Sequence, residues 1–307
     1  MAENELKSFN AKEIVEDKVD LKAYINELVE KLRKDTEVYE QLKPLNLSVG
    51  EVRQNIAKLH DYQEDYNVCK KCPGVDKCPK PTQHICMYVY KDGDYLTTRF
   101  EPCKKLMDKI RFDNKFVFAD FPDEWKTSRI KDMDLSEVRR PVINEFRKIV
   151  KGTSKRSVYL KGNHKVGKSF LLVTFANEFI ALNMGQVAVI NANKRFKELA
   201  DLSYNDKQEF AREMLALSKV PLLIIDDFGQ EYIYEYLRDS IVLPILMERS
   251  REDRLTFFTS EFSINEIQKL YSVGKNAGEI RGKQLGNILR NMCGEEFDVT
   301  GASIYNK

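Results

Sequence analysis

The chain has 307 residues, 42% hydrophobic and 32% charged, which is the composition of folded domains rather than a disordered scaffold and leaves room for two cores. Its 50 Lys and Arg against 48 Asp and Glu leave a formal charge of +2, excluding nucleic-acid binding by bulk charge while allowing local basic patches. The opening residues MAENELKSFN lack the basic and apolar regions of a signal peptide, and no run approaches the roughly 18 apolar residues of a membrane helix, so a cytoplasmic protein with no membrane partner is expected.

Residues 11 to 34 place Leu21, Ile25, Leu28 and Leu32 at helical spacing, which predicts a first amphipathic helix. Ser48-Val49-Gly50-Glu51 has the form of a capping box, and Val52, Ile56, Leu59 and Tyr62 continue an apolar face, so a second helix completes a helical hairpin. Five of the six cysteines then crowd between Cys69 and Cys103. Cys69 and Cys72 form a chelating turn, and Cys78, His84, Cys86 and Cys103 follow, which suits a four-ligand structural zinc site better than disulfides. Spacing alone leaves the four ligands open, and Cys86, two residues past His84, also reads as core. Met87 to Phe100 reads as two short strands turning at Asp92-Gly93.

From Phe116 the stretch FVFADFPDEWKTSRIKD reads as a connector whose aromatics pack on a neighbouring domain. Three segments follow: 1–112 helical and zinc-binding, 113–150 connecting, and 151–307 α/β. In the last, SVYLK, QVAVIN, PLLIID, LTFFTS and EFDVT alternate with helical patterns. Such short apolar strands predict a parallel sheet covered on both faces, a three-layer αβα domain.

The strand SVYLK runs into Gly162-Asn163-His164-Lys165-Val166-Gly167-Lys168-Ser169, with Phe170 opening the helical run beyond. This is the phosphate-loop pattern. The glycines let the backbone wrap phosphates at a helix N-terminus, Lys168 reaches the β- and γ-phosphates, and the Ser169 hydroxyl ligates Mg²⁺. ATP with Mg²⁺ is therefore the expected cofactor. The second element, LLIIDDFG, ends a buried strand on two carboxylates. Asp226 is placed to hold Mg²⁺ through water, and Asp227 to polarise an attacking water.

Together, VYLKGNHKVGKSF, VAVINANKRFKEL, LLIIDDFGQE, YLRDSIVLPILMERS and LTFFTSEFS resemble the ATPase domain of bacterial helicase loaders of the DnaI and DnaC kind, in the AAA+ superfamily. The likeness covers about the last 190 residues, and the Cys-rich region fits the DnaI branch. The resemblance implies an AAA+ P-loop domain preceded by a smaller helical domain with a zinc-binding β-hairpin module. It implies an ATPase that places a hexameric replicative helicase on single-stranded DNA within the primosome, alongside other primosome or initiator proteins and with ATP-dependent self-assembly. It favours Cys69, Cys72, His84 and Cys103 as zinc ligands, with Cys78 as competitor. Lys168, Ser169, Asp226, Asp227 and Glu231 match family positions, and Arg281 and Arg290 are the candidates for an arginine acting on a neighbour's nucleotide. Where the family shows Asn as sensor of the γ-phosphate, this chain has Thr259-Ser260-Glu261. Either Glu261 turns away and Ser260 makes the contact, or hydrolysis is slow. Other readings are an ATP-gated adaptor with little hydrolysis and a transposition-helper ATPase of the IstB kind, which is not expected to carry the Cys-rich half. Lys194, Arg195 and Phe196 read either as a DNA contact or as a solvated helix start.

Overall fold

The computed structural model describes residues 20–133, 136–275 and 277–300. The chain divides into two compact units, Met1–Ile110 and Arg111–Lys307.

In the first unit, α1 (Leu21–Lys34) starts where the Asp20 carboxylate accepts the Lys22 and Ala23 amides. Residues 11 to 19 of the expected first helix lie outside the described residues. α2 (Thr36–Leu42) follows, capped by Asp35. The Ser48–Glu51 capping box is present and opens α3 (Val49–Gln54), but Asn55 leaves helical geometry and a new helix, α4 (Ile56–Lys70), begins beyond it. The expected hairpin is thus a cluster of four helices among the described residues. Leu28, Leu32, Val38, Leu42, Leu59 and Tyr62 meet in its core, together with Met87 and Leu96 from a β-hairpin. That hairpin pairs β1 (Ile85–Asp92) with β2 (Tyr95–Pro102), and the register Asp92↔Tyr95 makes Gly93-Asp94 the turn, one residue later than the sequence suggests. Gly93 has φ 59°, the left-handed region that a two-residue hairpin turn requires. α5 (Lys104–Asp113) contains the division between the units.

The second unit is built on six parallel strands in the order β3-β5-β6-β7-β4-β8. They are β3 (Phe116–Ala119), β4 (Val158–Lys161), β5 (Val187–Asn191), β6 (Leu222–Asp226), β7 (Leu255–Ser260) and β8 (Phe297–Asp298). Successive side chains go to opposite faces. Val158, Leu160, Val187, Val189, Leu222, Ile224 and Phe257 pack under α6 (Arg140–Val150) and α7 (Lys168–Ala181). Tyr159, Ala188, Ile190, Leu223, Ile225 and Phe258 pack under α8 (Ala192–Asn205), α9 (Lys207–Lys219), α10 (Leu243–Arg251), α11 (Ile264–Leu270) and α12 (Gly278–Cys293). Burial on both faces is why these strands read as continuous apolar runs. The three-layer αβα architecture expected from the sequence is the one observed.

The segment 113–150, read as a connector, departs from that reading. Phe116–Ala119 pairs with β5 as the edge strand, and α6 lays Val142, Ile143, Phe146 and Ile149 on the sheet, with Phe146 stacked on Phe175 at 4.2 Å. Trp125 packs edge-on to Phe170 at 5.5 Å, and the buried Asn177 amide donates to Trp125 O at 2.7 Å. The aromatics do pack on a domain, but it is the one to which they belong. A four-residue strand followed by Pro122 has too short a pattern to stand out in sequence.

Candidate nucleotide site

The strand β4 ends at Lys161, and the chain turns through Gly162–Gly167 into the N-terminus of α7. Gly162 is needed for space: a Cβ there meets Val166 and Val299 atoms at 3.3 Å, and its N–H donates to Ser260 O at 3.1 Å, pinning the loop to β7. Gly167 has φ 84°, a conformation that L side chains adopt at a cost. Val166 is buried and anchors the loop, Arg139 donates to its carbonyl at 3.2 Å, and Asn163, His164 and Lys165 stand exposed. The buried Lys168 ammonium lies across the loop, donating to Gly162 O and Asn163 O at 2.8 Å each. Burial lowers its pKa, while Asp227, Glu261 and Asp226 pull the other way.

Across from the loop, β6 delivers the two acids. Asp226 is half-buried, and its pKa is raised first by desolvation and then by the neighbouring Asp227 charge, with hydrogen bonds from Thr259 and Ser169 opposing. Thr259 Oγ1 donates to Asp226 Oδ1 at 2.6 Å and accepts the Asp227 amide at 2.9 Å. Asp227 itself sits at φ 56°, and Asn191 Nδ2 donates to its Oδ2 at 3.3 Å. Ser169 and Asp226 thus present a hydroxyl and a carboxylate oxygen to each other, a donor set that suits a hard divalent cation such as Mg²⁺. Thr259 is the site residue that the sequence reading passed over. The pairing that sets it there, in register at Phe258↔Ile225, joins segments distant in sequence.

The choice between Glu261 and Ser260 resolves in one respect. Ser260 is fully buried, donates to Phe228 O at 2.6 Å and accepts the Phe262 amide at 3.0 Å, so its hydroxyl serves the turns behind the strands. Glu261 instead leans over the loop, with Oε1 3.6 Å from His164 Nδ1.

The two arginine candidates differ. Arg290 donates to Asn287, Asn265 and Gln268 at 3.1, 2.7 and 2.9 Å, which fastens α12 to α11. Arg281 is exposed, with Gln284 at 3.0 Å and Asp239 at 3.9 Å. Arg195 is not placed to meet a nucleic acid. Its guanidinium bonds both oxygens of the buried Asp120 at 3.2 Å, lies 4.3 Å over the Phe118 ring and faces Glu198 and Glu213, while Phe196 is core.

In the first unit, the donor atoms that come within 4.8 Å of one another are those of Asp65, Cys69 and Cys86, the one such group among the described residues. Cys69 and Cys86 sulfurs are 3.6 Å apart, and burial first, then Cys69, pushes the Cys86 thiol up to about 11. Lys80, nearly buried, donates to Asp65 at 2.7 Å and Ile85 O at 2.8 Å, so this trio already has a cation. Of the sequence-expected ligands, only Cys69 is in it. The others adjoin through the backbone: Cys72 N–H to Cys69 O, His84 N–H to Cys78 Sγ at 3.4 Å, and Cys103 N–H to His84 O. Amide donation from His84, then Lys80, lowers the Cys78 pKa, while His84 Nε2 lies 2.7 Å from Val75 O. Cys293 is buried in the second unit's core.

No family model matches the chain. The replicative helicase loader DnaI of Bacillus subtilis (strain 168) is 23% identical over 278 residues, spanning 87% of this chain and 88% of that protein. A crystal structure of DnaI superposes with TM-score 0.53 and 25% identity, over 60% of this chain and 97% of that one. A putative primosome component from Streptococcus pyogenes serotype M3 gives TM-score 0.50 and 22% identity, over 64% of this chain and 98% of that one. With a phosphate-loop pattern facing paired acids on a parallel sheet, the chain is similar to the helicase loader DnaI along most of its length, and in fold to the DnaI crystal structure.

Proposed function

We propose that the chain is an ATP-dependent loader that places a hexameric replicative helicase on single-stranded DNA during replication initiation and restart, as a cytoplasmic primosome component. The observation that carries this reading is the meeting of Lys168, Ser169, Asp226 and Thr259 around one loop, in a chain similar to a helicase loader over most of its length. In the second unit, Gly162 to Phe170 hold ATP, Lys168 neutralises its phosphates, Ser169 and Asp226 hold Mg²⁺, and Asp227 polarises water. Mg²⁺ supplies charge neutralisation on the transferring phosphate. Arg281, exposed on α12, is the better placed arginine for a neighbouring subunit in an ATP-dependent assembly. Among the described residues, no helix is long and apolar enough to cross a membrane.

The first unit, residues 1–112 in the sequence reading, carries the helicase contact and a structural zinc. Cys69, Cys72, His84 and Cys103 are the proposed ligands, with Cys78 in competition. Soft sulfur and imidazole donors suit Zn²⁺, and backbone bonds pair Cys72 with Cys69 and Cys103 with His84, although the four donor atoms do not gather within 4.8 Å of one another among the described residues. The Asp65–Cys69–Cys86 trio fits a divalent cation poorly, because Lys80 already balances its charge.

A second reading, an ATP-gated adaptor with little hydrolysis, is favoured by one observation: Glu261 leans over the loop where the family shows Asn. The IstB-like alternative has no counterpart for the cysteine-bearing first unit. Turnover measured with helicase and single-stranded DNA separates these readings. Clear hydrolysis that Lys168→Ala abolishes supports the loader, whereas tight ATP binding without stimulated turnover supports the adaptor. Zinc content with helicase pull-down tests the IstB-like reading.

A further inference from the structure

Two residues beyond the glycine that ends the acidic turn, Glu231 is buried with its side chain folded back on the main chain. Its Oε2 accepts the Gly229 amide at 2.7 Å, its Oε1 accepts the Tyr271 hydroxyl, and the amides of Glu231 and Gln230 also face the carboxylate. All of these donors are neutral. Burial raises the Glu231 pKa, while the Tyr271 hydroxyl and the amides of Glu231, Gly229 and Gln230 oppose that rise, so both carboxyl oxygens are satisfied by the groups that converge on them. None of these bonds runs to the phosphate loop or to the acid side chains, so the reaction outlined above leaves the group unused.

What it does touch is the turn that carries the acids. Asp226 ends β6, Asp227 takes φ 56°, the Gln230 amide closes on Asp227 O at 3.1 Å, and Gly229 takes φ 96° with Ile267 and Phe262 against it. A Cβ on Gly229 would lie 2.5 Å from Ile267 Cδ1, so the turn is pressed against α11 and has no slack there. Tyr271, at the end of α11, is fully buried, stacks on Phe228 at 5.4 Å, and is held at its carbonyl by the buried Arg238 at 3.1 Å. Glu231 is the polar link between the two: one oxygen on the turn, the other on Tyr271.

We propose that Glu231 is the positioning residue of the Asp226–Asp227 turn, fixing the acid pair by joining the Gly229 amide to Tyr271, an inference that rests on the nucleotide reading above. Asp226 meets the cation only if this turn keeps its place, and the strained φ at Asp227 relaxes when its support is removed. The loop that binds the phosphates is untouched, so the effect falls on the contribution of Mg²⁺ rather than on nucleotide binding without it.

The test is the affinity for a fluorescent ATP analogue, with and without Mg²⁺, in the full chain. For Glu231→Ala the expected result is a loss of at least tenfold in the enhancement of affinity by Mg²⁺, with metal-free affinity within about twofold of wild type. Glu231→Gln, whose carbonyl still accepts the Gly229 amide, keeps the enhancement within about threefold. If Glu231→Ala does not fold, the shape-conserving pair Glu231→Gln with Tyr271→Phe takes its place and is expected to lose at least threefold. Unchanged enhancement in a folded variant overturns the proposal, as does an equal loss of affinity with and without Mg²⁺, the mark of a merely structural role. A wild-type chain that binds no nucleotide in either condition overturns the nucleotide reading itself, and this inference with it.

Discussion

His164 Nδ1 lies 3.6 Å from Glu261 Oε1, so the carboxylate at the end of β7 leans on the outermost part of the phosphate loop. A γ-phosphate bound there meets a second negative charge. At 4 Å such a pair is repelled by about 1 kcal/mol in water and by about 4 kcal/mol at an effective dielectric of 20. Glu261→Gln is therefore expected to raise affinity for ATP about fivefold or more while changing affinity for ADP less, and His164→Ala to lower ATP affinity by leaving the carboxylate unshielded. Competition titrations of ATP against ADP on the three proteins check this, and equal ATP to ADP ratios would place Glu261 outside the field of the γ-phosphate.

Asp226 is held for function at the expense of stability. Burial and Asp227 raise its pKa, so the folded state binds its proton more readily than the unfolded chain. The sign follows: this group's contribution to stability is complete below the ordinary aspartate value, and is lost as pH rises through the raised value in the fold. Asp226→Asn removes the charge and keeps the shape. Its melting temperature is expected to exceed that of wild type at pH 7 by a few degrees, with the gap narrowing toward pH 4, while the Mg²⁺ dependence of nucleotide binding is lost. Melting curves across that range decide it; a variant less stable than wild type at pH 7 contradicts it.

Arg249, by contrast, supports the fold from inside. Fully buried, it donates to Thr256 Oγ1 and to the carbonyls of Leu217, Val220 and Leu255, joining the end of α9 to β7. Burial, with Arg254 adding to it, brings its pKa down to about 9. Arg249→Met leaves those carbonyls unpaired in the interior and is expected to cost on the order of 3 kcal/mol. Urea unfolding measures this, and a loss below about 1 kcal/mol would show that the carbonyls find other donors.

Arg195→Ala is expected to lower stability through loss of the Asp120 pair, while the salt dependence of single-stranded DNA binding keeps the wild-type slope. A slope reduced by about 1 would mean that Arg195 leaves Asp120 for a phosphate.

The phosphate loop, the acidic strand end and the layered sheet were all legible in the sequence, because each rests on local pattern: glycines at required conformations, paired acids after a buried run, strands apolar on both faces. What escaped depends on contacts distant in sequence. Phe116–Ala119 is a strand only because β5 offers it an edge. Arg195 read as a free cation until Asp120, at the end of that strand, occupied it. Thr259 matters because register sets it beside Asp226, and the Ser260 hydroxyl is taken up by Phe228 O and the Phe262 amide. In the Cys-rich region, spacing offers candidate donors but not which of their atoms come together, which depends on hairpin register and on Lys80.

Nucleotide at this loop is proposed to drive helicase placement. The most direct measurement is the amount of hexameric replicative helicase that becomes bound to circular single-stranded DNA, with and without ATP, in the presence of wild type or Lys168→Ala. ATP-dependent helicase binding is expected with wild type and none above background with Lys168→Ala, while both proteins are expected to capture helicase through the first unit. Helicase bound to the circle equally well with Lys168→Ala, or without the chain at all, would contradict it.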